Sequence, residues 1–280
     1  MRLLEKLRLR YSEMTEGEKL IYNLMTKNVK EFSLKPIGAV AEELQISKTT
    51  LMRFAKSSGF NGYAEFKQAL QEEELLDSSP AVKLKKFMNN HVILTAEKIR
   101  QQEIENIHHT FQNLNKEDFD RIVDTILSTN SIRTMGWGIS SYAAEVLTLR
   151  LKLIGLKCET LQRRTATLVE EVSRLAPSAL FITFEFRPYM YEVLDAVRLA
   201  KSRNMTLVLV TDTPQCPLIE FVDYIFYCET ETEFFGNSLI GPLFWVNLLT
   251  SEVIYRMKDN IMDTLERQQE ILTNLRYYIP

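Results

Sequence analysis

The chain has 280 residues, of which 45% are hydrophobic and 25% are charged. This length exceeds that of an average domain, and the apolar content is sufficient for two hydrophobic cores. No apolar run approaches the ~20 residues that a membrane-spanning helix requires, and the charged first residues do not resemble a signal peptide. Composition therefore predicts a cytoplasmic protein of two domains that has no contact with a membrane.

Charge is distributed unevenly along the chain, which carries −3 in total at neutral pH. Residues 1 to 70 hold 12 Lys and Arg against 8 Glu, a balance of +4, which leaves −7 for residues 71 to 280. A basic N-terminal part favours binding to nucleic acid there and leaves the remainder for another task.

The cysteines and histidines do not form a recognisable metal or catalytic motif. Cys158, Cys216 and Cys228 lack Cys-x-x-Cys spacing and lie far from any histidine in the sequence, which predicts reduced, buried thiols. His108 and His109 are adjacent, and on a helix adjacent side chains point about 100° apart, so the pair does not hold a metal ion by itself. We expect no metal ion, no cofactor and no catalytic residue.

Residues 37 to 66 have the pattern of two short helices joined by a tight turn. Ala41 and Leu44 form the inward face of the first helix, and residues 45 and 46 make the connection. Ser47 is a good N-cap for a second helix, which must end by Gly59. This spacing is typical of a helix-turn-helix motif that binds DNA.

The second helix has an apolar face and a polar face. Leu51, Phe54 and Ala55 fall at i, i+3 and i+4 and are expected to be buried. The opposite face offers hydroxyls and cations, which contact phosphates and base edges in a major groove. The candidate DNA-binding residues are Ser47, Lys48, Thr49, Thr50, Arg53 and Lys56. The alternative is a surface helix whose polar face is only solvated.

The tail of this motif has glycines at a helix end and at a turn, set between aromatic residues, and this suits a loop packed onto a small helical core. The whole stretch resembles the N-terminal domain of RpiR-type bacterial transcriptional regulators. The residues that carry the resemblance are Ala41, Leu44, Ile46, Ser47, Thr50, Arg53, Phe54, Gly59, Phe60, Gly62, Tyr63, Phe66 and Leu70. A capping box at residues 15 to 18 opens a helix that should brace this pair, and an acidic, then basic, stretch from residue 71 to 90 predicts a linker.

After residue 130 short apolar runs alternate with helical patterns. Helical spacing is also present at residues 91–111 and 115–127. The candidate strands are residues 131–135, 157–160, 180–184, 207–211 and 224–228, and the candidate helices are residues 141–154, 166–175, 189–203 and 238–257. Such alternation predicts an α/β domain with a parallel sheet flanked by helices on both faces. In these sheets the ligand crevice lies at the carboxyl ends of the strands.

The predicted crevice begins with a Gly-x-Gly-x-Ser-Ser turn at residues 136 to 141, where a strand leads into a helix. Backbone amides and hydroxyls at a helix start suit an anion such as phosphate. A dinucleotide site would need a third glycine where Ser141 stands, and we therefore do not favour it.

Further matches lie at Leu-x-x-Ile-Gly (151–155), Ala-Lys (200–201) and Thr-Asp-x-Pro-x-x-Pro-Leu (211–218). With the glycine turn, they resemble the sugar isomerase (SIS) domain of RpiR-type regulators, which is a three-layer sandwich. The resemblance implies four segments: a helix-turn-helix domain (1–77), a helical linker (78–114), an SIS-like ligand-sensing domain (115–262) and a C-terminal tail (263–280).

One segment departs from the SIS pattern. Where that pattern has Ser-x-Ser-Gly-x-Thr, hydroxyls that hold a sugar phosphate, this chain keeps only Thr183 and has Glu185 and Pro188 in place of the second Ser and the Thr. Arg187 and Tyr189 offer other donors to an anionic oxygen, although Glu185 and Arg187 are equally well explained as a structural ion pair. The candidate ligand-binding residues are Gly138, Ser140, Ser141, Thr183, Glu185, Arg187, Tyr189 and Thr211.

These resemblances imply a transcriptional regulator of carbohydrate metabolism. Its partners would be a double-stranded DNA operator and a sugar phosphate or related carbohydrate derivative, and it would act as a homodimer or tetramer, because symmetric pairing doubles the DNA site. The rival interpretation is a sugar-phosphate isomerase with an accessory helical N-terminus, whose base would be sought among Glu185, Asp212 and Glu229. A binding module without a DNA role ranks third, since it leaves the basic N-terminal part without a purpose.

Overall fold

Two units make up the chain in the computed structural model, residues Met1–Lys86 and Phe87–Pro280. The structure describes residues 3–27, 29–77, 80–89, 95–232 and 235–274. Each unit is described by itself below.

The first unit is helical. Its helices are α1 (Leu3–Leu9), α2 (Glu16–Lys27), α3 (Val29–Leu34), α4 (Ile37–Glu43), α5 (Lys48–Ser57) and α6 (Tyr63–Asp77), and α7 (Pro80–Asn89) runs into the second unit. The predicted capping box is present, because the Thr15 amide donates to Glu18 Oε2 over 2.9 Å and the Glu18 amide donates to Thr15 Oγ1 over 3.4 Å. Side chains from α2, α5 and α6 form the core, among them Ile21, Met25 and Phe66.

The predicted linker is wrong for residues 71 to 77, which continue α6. Glu and Leu are strong helix formers, so an acidic run remains helical where tertiary contacts hold it. Two such contacts are present: Gln71 Nε2 donates to the Ser33 carbonyl over 3.0 Å, and the buried Glu73 carboxylate accepts from the Leu4 amide over 3.3 Å. Part of the predicted helix that starts at His91 lies outside the described residues.

The second unit is an α/β domain with five strands, β1 (Ile132–Gly136), β2 (Cys158–Leu161), β3 (Leu180–Phe184), β4 (Thr206–Thr211) and β5 (Tyr224–Tyr227). All neighbouring strands are parallel, in the order β2-β1-β3-β4-β5. The helices are α8 (Ala96–Gln112), α9 (Lys116–Ser128), α10 (Ser140–Leu153), α11 (Leu168–Ser173), α12 (Tyr191–Ser202) and α13 (Ile240–Asn274). The predicted fold class, a helical N-terminal domain and a parallel α/β domain, is confirmed.

Helices cover both faces of the sheet. On one face α9, α10 and α13 pack against β-strand side chains, and the Trp245 ring of α13 lies 5.9 Å from that of Phe184 in β3. On the other face α11 and α12 pack against residues such as Phe181 and Leu209. The three cysteines are free and buried, as predicted.

The last helix is longer than its predicted end at residue 257, because α13 continues to Asn274. No glycine or proline follows Pro242 before residue 280, so the sequence contains no residue that stops the helix. In the part of the chain that the structure describes, no helix is both long and apolar enough to cross a membrane.

Candidate functional site

The turn before α5 fixes where the predicted DNA-reading helix begins. Gln45 adopts a left-handed conformation (φ 53°) between α4 and α5, and Ser47 caps α5 by accepting from the Thr50 amide over 3.1 Å. The hydroxyls of Ser47 and Thr50 also lie 2.9 Å apart. Ser47 and Thr50 therefore stabilise the start of α5, and both are also candidates for DNA contact.

The polar face of α5 is open to solvent. Lys48, Thr49, Arg53 and Lys56 are exposed, and none of these side chains has a hydrogen bond or ion pair with another described residue. The opposite face is buried, as predicted from Leu51, Phe54 and Ala55, which are at most 1% exposed. The helix thus presents one hydroxyl and three cations to a partner outside the domain.

The segment after α5 attaches this helix to its core. Gly59 takes a left-handed conformation (φ 95°) that favours glycine, and the rings of Phe60 and Phe66 meet edge to face 5.5 Å apart. Arg10, the residue after α1, donates from Nη1 to the Ser57 carbonyl at the end of α5. This role of Arg10 was not predicted, because no local pattern signals a contact across 47 positions.

In the second unit, the strand order defines where a crevice forms. The chain leaves β1 for α10 on one face and leaves β3 for α12 on the other, although β1 and β3 are neighbours. At such a switch point the loops diverge and leave a crevice at the carboxyl ends. The register aligns Gly136 with Phe184, and the Glu185 amide donates to Val210 over 3.0 Å. The predicted loops after β1, β3 and β4 therefore lie together at the carboxyl ends of the strands.

The glycine turn packs tightly on the start of α10. A Cβ added to Gly136 would lie 2.6 Å from the Ser140 carbonyl oxygen, and Gly138 has a φ of 56°. Ser141 Oγ donates to the Gly138 carbonyl over 2.8 Å, and the amides of Ser140 and Ser141 donate to residues 137 and 138 over 3.1 and 3.2 Å. Much of the donor capacity predicted for this turn is therefore used within it.

Glu185 is a buried carboxylate at the start of α12, only 1% exposed. Its Oε1 accepts from the Met190 amide over 2.9 Å. Burial raises the pKa of Glu185 to about 8; the Met190 hydrogen bond opposes this rise, and the nearby Asp212 adds to it. Its environment thus favours the protonated form, as expected for a carboxyl away from water.

Arg187 pairs with Asp212, the residue after β4. Arg187 Nε lies 3.1 Å from Asp212 Oδ2, and both side chains are 6% exposed. The ion pair considered from the sequence joined Arg187 to Glu185, but that carboxylate accepts from the start of α12 instead. Asn237, which was not predicted, donates to the Arg187 carbonyl over 2.6 Å.

Buried polar atoms near this pair have no hydrogen-bond partner among the described residues, and they include Asp212 Oδ1, Thr211 Oγ1 and the Tyr189 hydroxyl. Asp212 also helps burial to raise the pKa of Tyr189, which shows that the two side chains are close. Unpaired buried polar atoms are costly unless a ligand or water satisfies them. The site therefore has capacity for a polar ligand.

Thr183 and Thr211 lie deeper than the other candidates and are at most 1% exposed. Burial raises the pKa of the nearby Cys216 thiol to about 12, and the Thr211 hydroxyl opposes this rise. These two residues belong to the strand ends beneath the loops.

Comparison with known proteins supports both halves of this description. Residues 1–75 match the family model for the helix-turn-helix domain of the rpiR family, and residues 125–252 match the model for the SIS domain. An uncharacterized HTH-type transcriptional regulator of Clostridium perfringens is 25% identical over 92% of this chain and 94% of its own.

Two solved structures share the fold. The Vibrio vulnificus NanR protein complexed with ManNAc-6P is 21% identical, with a TM-score of 0.64 over 98% of this chain and 99% of its own. The sugar isomerase domain of an RpiR transcription factor from Sphaerobacter thermophilus is 22% identical, with a TM-score of 0.59 over 62% of this chain and 97% of its own. With a helix-turn-helix domain of the rpiR family followed by an SIS domain, the chain belongs to the RpiR-type family of bacterial transcriptional regulators.

Proposed function

We propose that this regulator controls genes of carbohydrate metabolism in the cytoplasm in response to a sugar phosphate or related sugar metabolite. The effector would bind at the carboxyl ends of β1, β3 and β4, and the exposed face of α5 would read the operator. The observation that carries the proposal is the domain pair together with a buried polar cluster at the switch point of the sheet.

The DNA side of the proposal rests on α5. Lys48, Thr49, Arg53 and Lys56 are exposed on a helix whose other face is fixed in the core. A recognition helix lies in the major groove in this manner, with cations on phosphates and polar side chains on base edges.

The proposal includes assembly into a homodimer or tetramer. One recognition helix reads only a few base pairs, and a two-fold assembly reads two half-sites. The apolar helix α13 is a candidate for the contact, because Ile254 and Tyr255 are 40% and 67% exposed next to its buried residues.

Sequencing the genomic DNA that the purified protein retains tests the DNA-binding half. We expect recovered sites that contain two half-sites related by two-fold symmetry and that lie near genes of sugar uptake or catabolism. Recovery of random DNA, or of single half-sites, would contradict the proposal.

The enzyme interpretation makes a different prediction, because an isomerase needs a general base near the sugar carbon. The Asp212 carboxylate is ion-paired with Arg187 through Oδ2, which makes it a weak base, and Glu185 accepts from the Met190 amide. We therefore expect no isomerisation when the protein is incubated with aldose phosphates. Turnover that is lost in the Glu185→Gln variant would favour the enzyme.

A further inference from the structure

The start of α12 is occupied by the protein's own carboxylate. Met190 is the N-cap residue of this helix and has no side-chain cap, and its amide donates to Glu185 Oε1 over 2.9 Å. The first amides of a helix and its dipole form a ready site for an anion. Because Glu185 is 1% exposed and already lies there, an incoming anion would meet a buried carboxyl group in its place.

The start of α10 gives no equivalent site. The amides of Ser140, Ser141 and Tyr142 donate to carbonyls of the preceding turn over 3.1 to 3.2 Å, and Ser141 Oγ donates to Gly138. These donors at the start of α10 are thus engaged within the turn.

Beside the hydroxyls of Tyr189 and Thr211, the cluster offers an acceptor. Asp212 Oδ1 is buried and has no partner among the described residues, while Asp212 Oδ2 is held by Arg187 Nε. Glu185 lies close enough for Asp212 to raise its pKa. The Asp212 carboxylate attracts hydroxyl or ammonium donors, and the Glu185 carboxyl group occupies the position at the start of α12 that a phosphate would need.

We infer that Glu185 is a specificity-determining residue, which fills the anion position at the start of α12 and makes this site select a sugar that bears no phosphate there. The ligand class is a neutral or amino sugar whose hydroxyl or ammonium groups donate to Asp212 Oδ1. The inference rests on the proposed function and narrows it to the unphosphorylated alternative.

Calorimetric titration with matched pairs tests the selectivity. The probes are N-acetylmannosamine, glucosamine and glucose, each with its 6-phosphate. For a pair that binds, we expect the wild-type protein to favour the unphosphorylated sugar by about tenfold or more. Glu185 denies the phosphate its charge-assisted hydrogen bond to the start of α12, and such a bond contributes a factor of that size. The Glu185→Ser variant, which removes the carboxylate, should reverse the preference. Glu185→Gln fills the same space and should not bind the phosphate. A wild-type preference for the phosphorylated sugar would overturn the inference.

Thermal melting with inorganic phosphate tests the occupied anion position without knowledge of the sugar. At constant ionic strength, millimolar phosphate should raise the Tm of Glu185→Ser, because ligand binding stabilises the folded state. It should leave the Tm of wild type and of Glu185→Gln unchanged. No rise in a folded Glu185→Ser variant, or a rise in wild type, would overturn the role of Glu185. If the variant does not fold, the wild-type preference in the paired titrations decides. Failure of wild type to bind any sugar would instead contradict the proposed function.

Discussion

The exposed side chains of α5 are expected to differ in what they read. Arg53 and Thr49 lie on the open face, so Arg53→Ala and Thr49→Ala should each weaken operator binding by about 1–3 kcal/mol if they touch bases. Lys56→Ala should instead weaken binding to all sequences and reduce the salt slope by roughly one, as loss of a phosphate contact does. Band-shift titrations at two salt concentrations separate these effects.

The matched control for these three variants is Lys116→Ala, an exposed lysine at the start of α9 in the other unit. Its operator affinity should equal that of wild type. Unchanged affinity for all three α5 variants would show that this helix does not read the DNA.

Glu185 should make stability depend on pH. The carboxyl ionises near pH 4.5 when unfolded but near pH 8 in the folded protein, so the folded state binds more protons between these values. Its contribution to the free energy of unfolding is therefore complete below pH 4.5 and is lost as pH rises to about 8, by at most about 1.4 kcal/mol per pH unit. Glu185→Gln should remove this component. Parallel pH profiles of wild type and variant in urea unfolding would refute the raised pKa.

The Arg187–Asp212 pair should behave as a buried ion pair. Arg187→Met leaves the Asp212 carboxylate buried without its cation, which we expect to cost about 3–5 kcal/mol of folding free energy. The double variant Arg187→Met/Asp212→Leu should recover most of this loss, because neither charge remains. Denaturant unfolding of both single variants and the double variant measures the coupling, and additive losses would contradict it.

At the scale of elements, a substitution in the turn before α10 tests how tightly that turn packs against the helix. Gly136→Ala places a Cβ 2.6 Å from the backbone of Ser140, so we expect a loss of about 1–3 kcal/mol and a lower Tm. Gly62→Ala is the matched control, since no atom lies within 4 Å of its added Cβ. Equal Tm values for the two variants would contradict the tight packing of Gly136 against Ser140.

The strands were predictable because a parallel sheet buries both faces, which produces short continuous apolar runs. The predicted strand at residues 180 to 184 coincides with β3. The predictions for β1 and β2 are displaced by one residue at both ends, and those for β4 and β5 differ by one residue at one end. The C-terminal half of α6 was missed because Glu73 is buried by a tertiary contact to Leu4, which no sequence pattern shows.

The candidate site was only partly predictable for the same reason. Glycine and serine spacing placed the turn at residues 136 to 141, and the departure at Glu185 was visible as a replaced hydroxyl residue. The pairing of Arg187 with Asp212 joins positions 25 apart on different loops, so it follows from the strand order rather than from a local pattern.

At the scale of the whole molecule, the proposed function would link a sugar site in the second unit to DNA binding by the first. Such coupling requires that the sugar change operator affinity, by about 5-fold to 150-fold in typical allosteric proteins. The coupling is expected only of the full chain, because each unit alone carries only one of the two proposed sites.

The most direct measurement is the affinity of the full-length protein for its recovered operator, followed by fluorescence anisotropy with and without each sugar of the panel. We expect that at least one sugar changes the operator affinity of wild type by about fivefold or more, and that Arg53→Ala binds the operator weakly with or without that sugar. Operator affinity that no sugar or sugar phosphate alters would contradict the claim that the SIS domain senses a sugar metabolite.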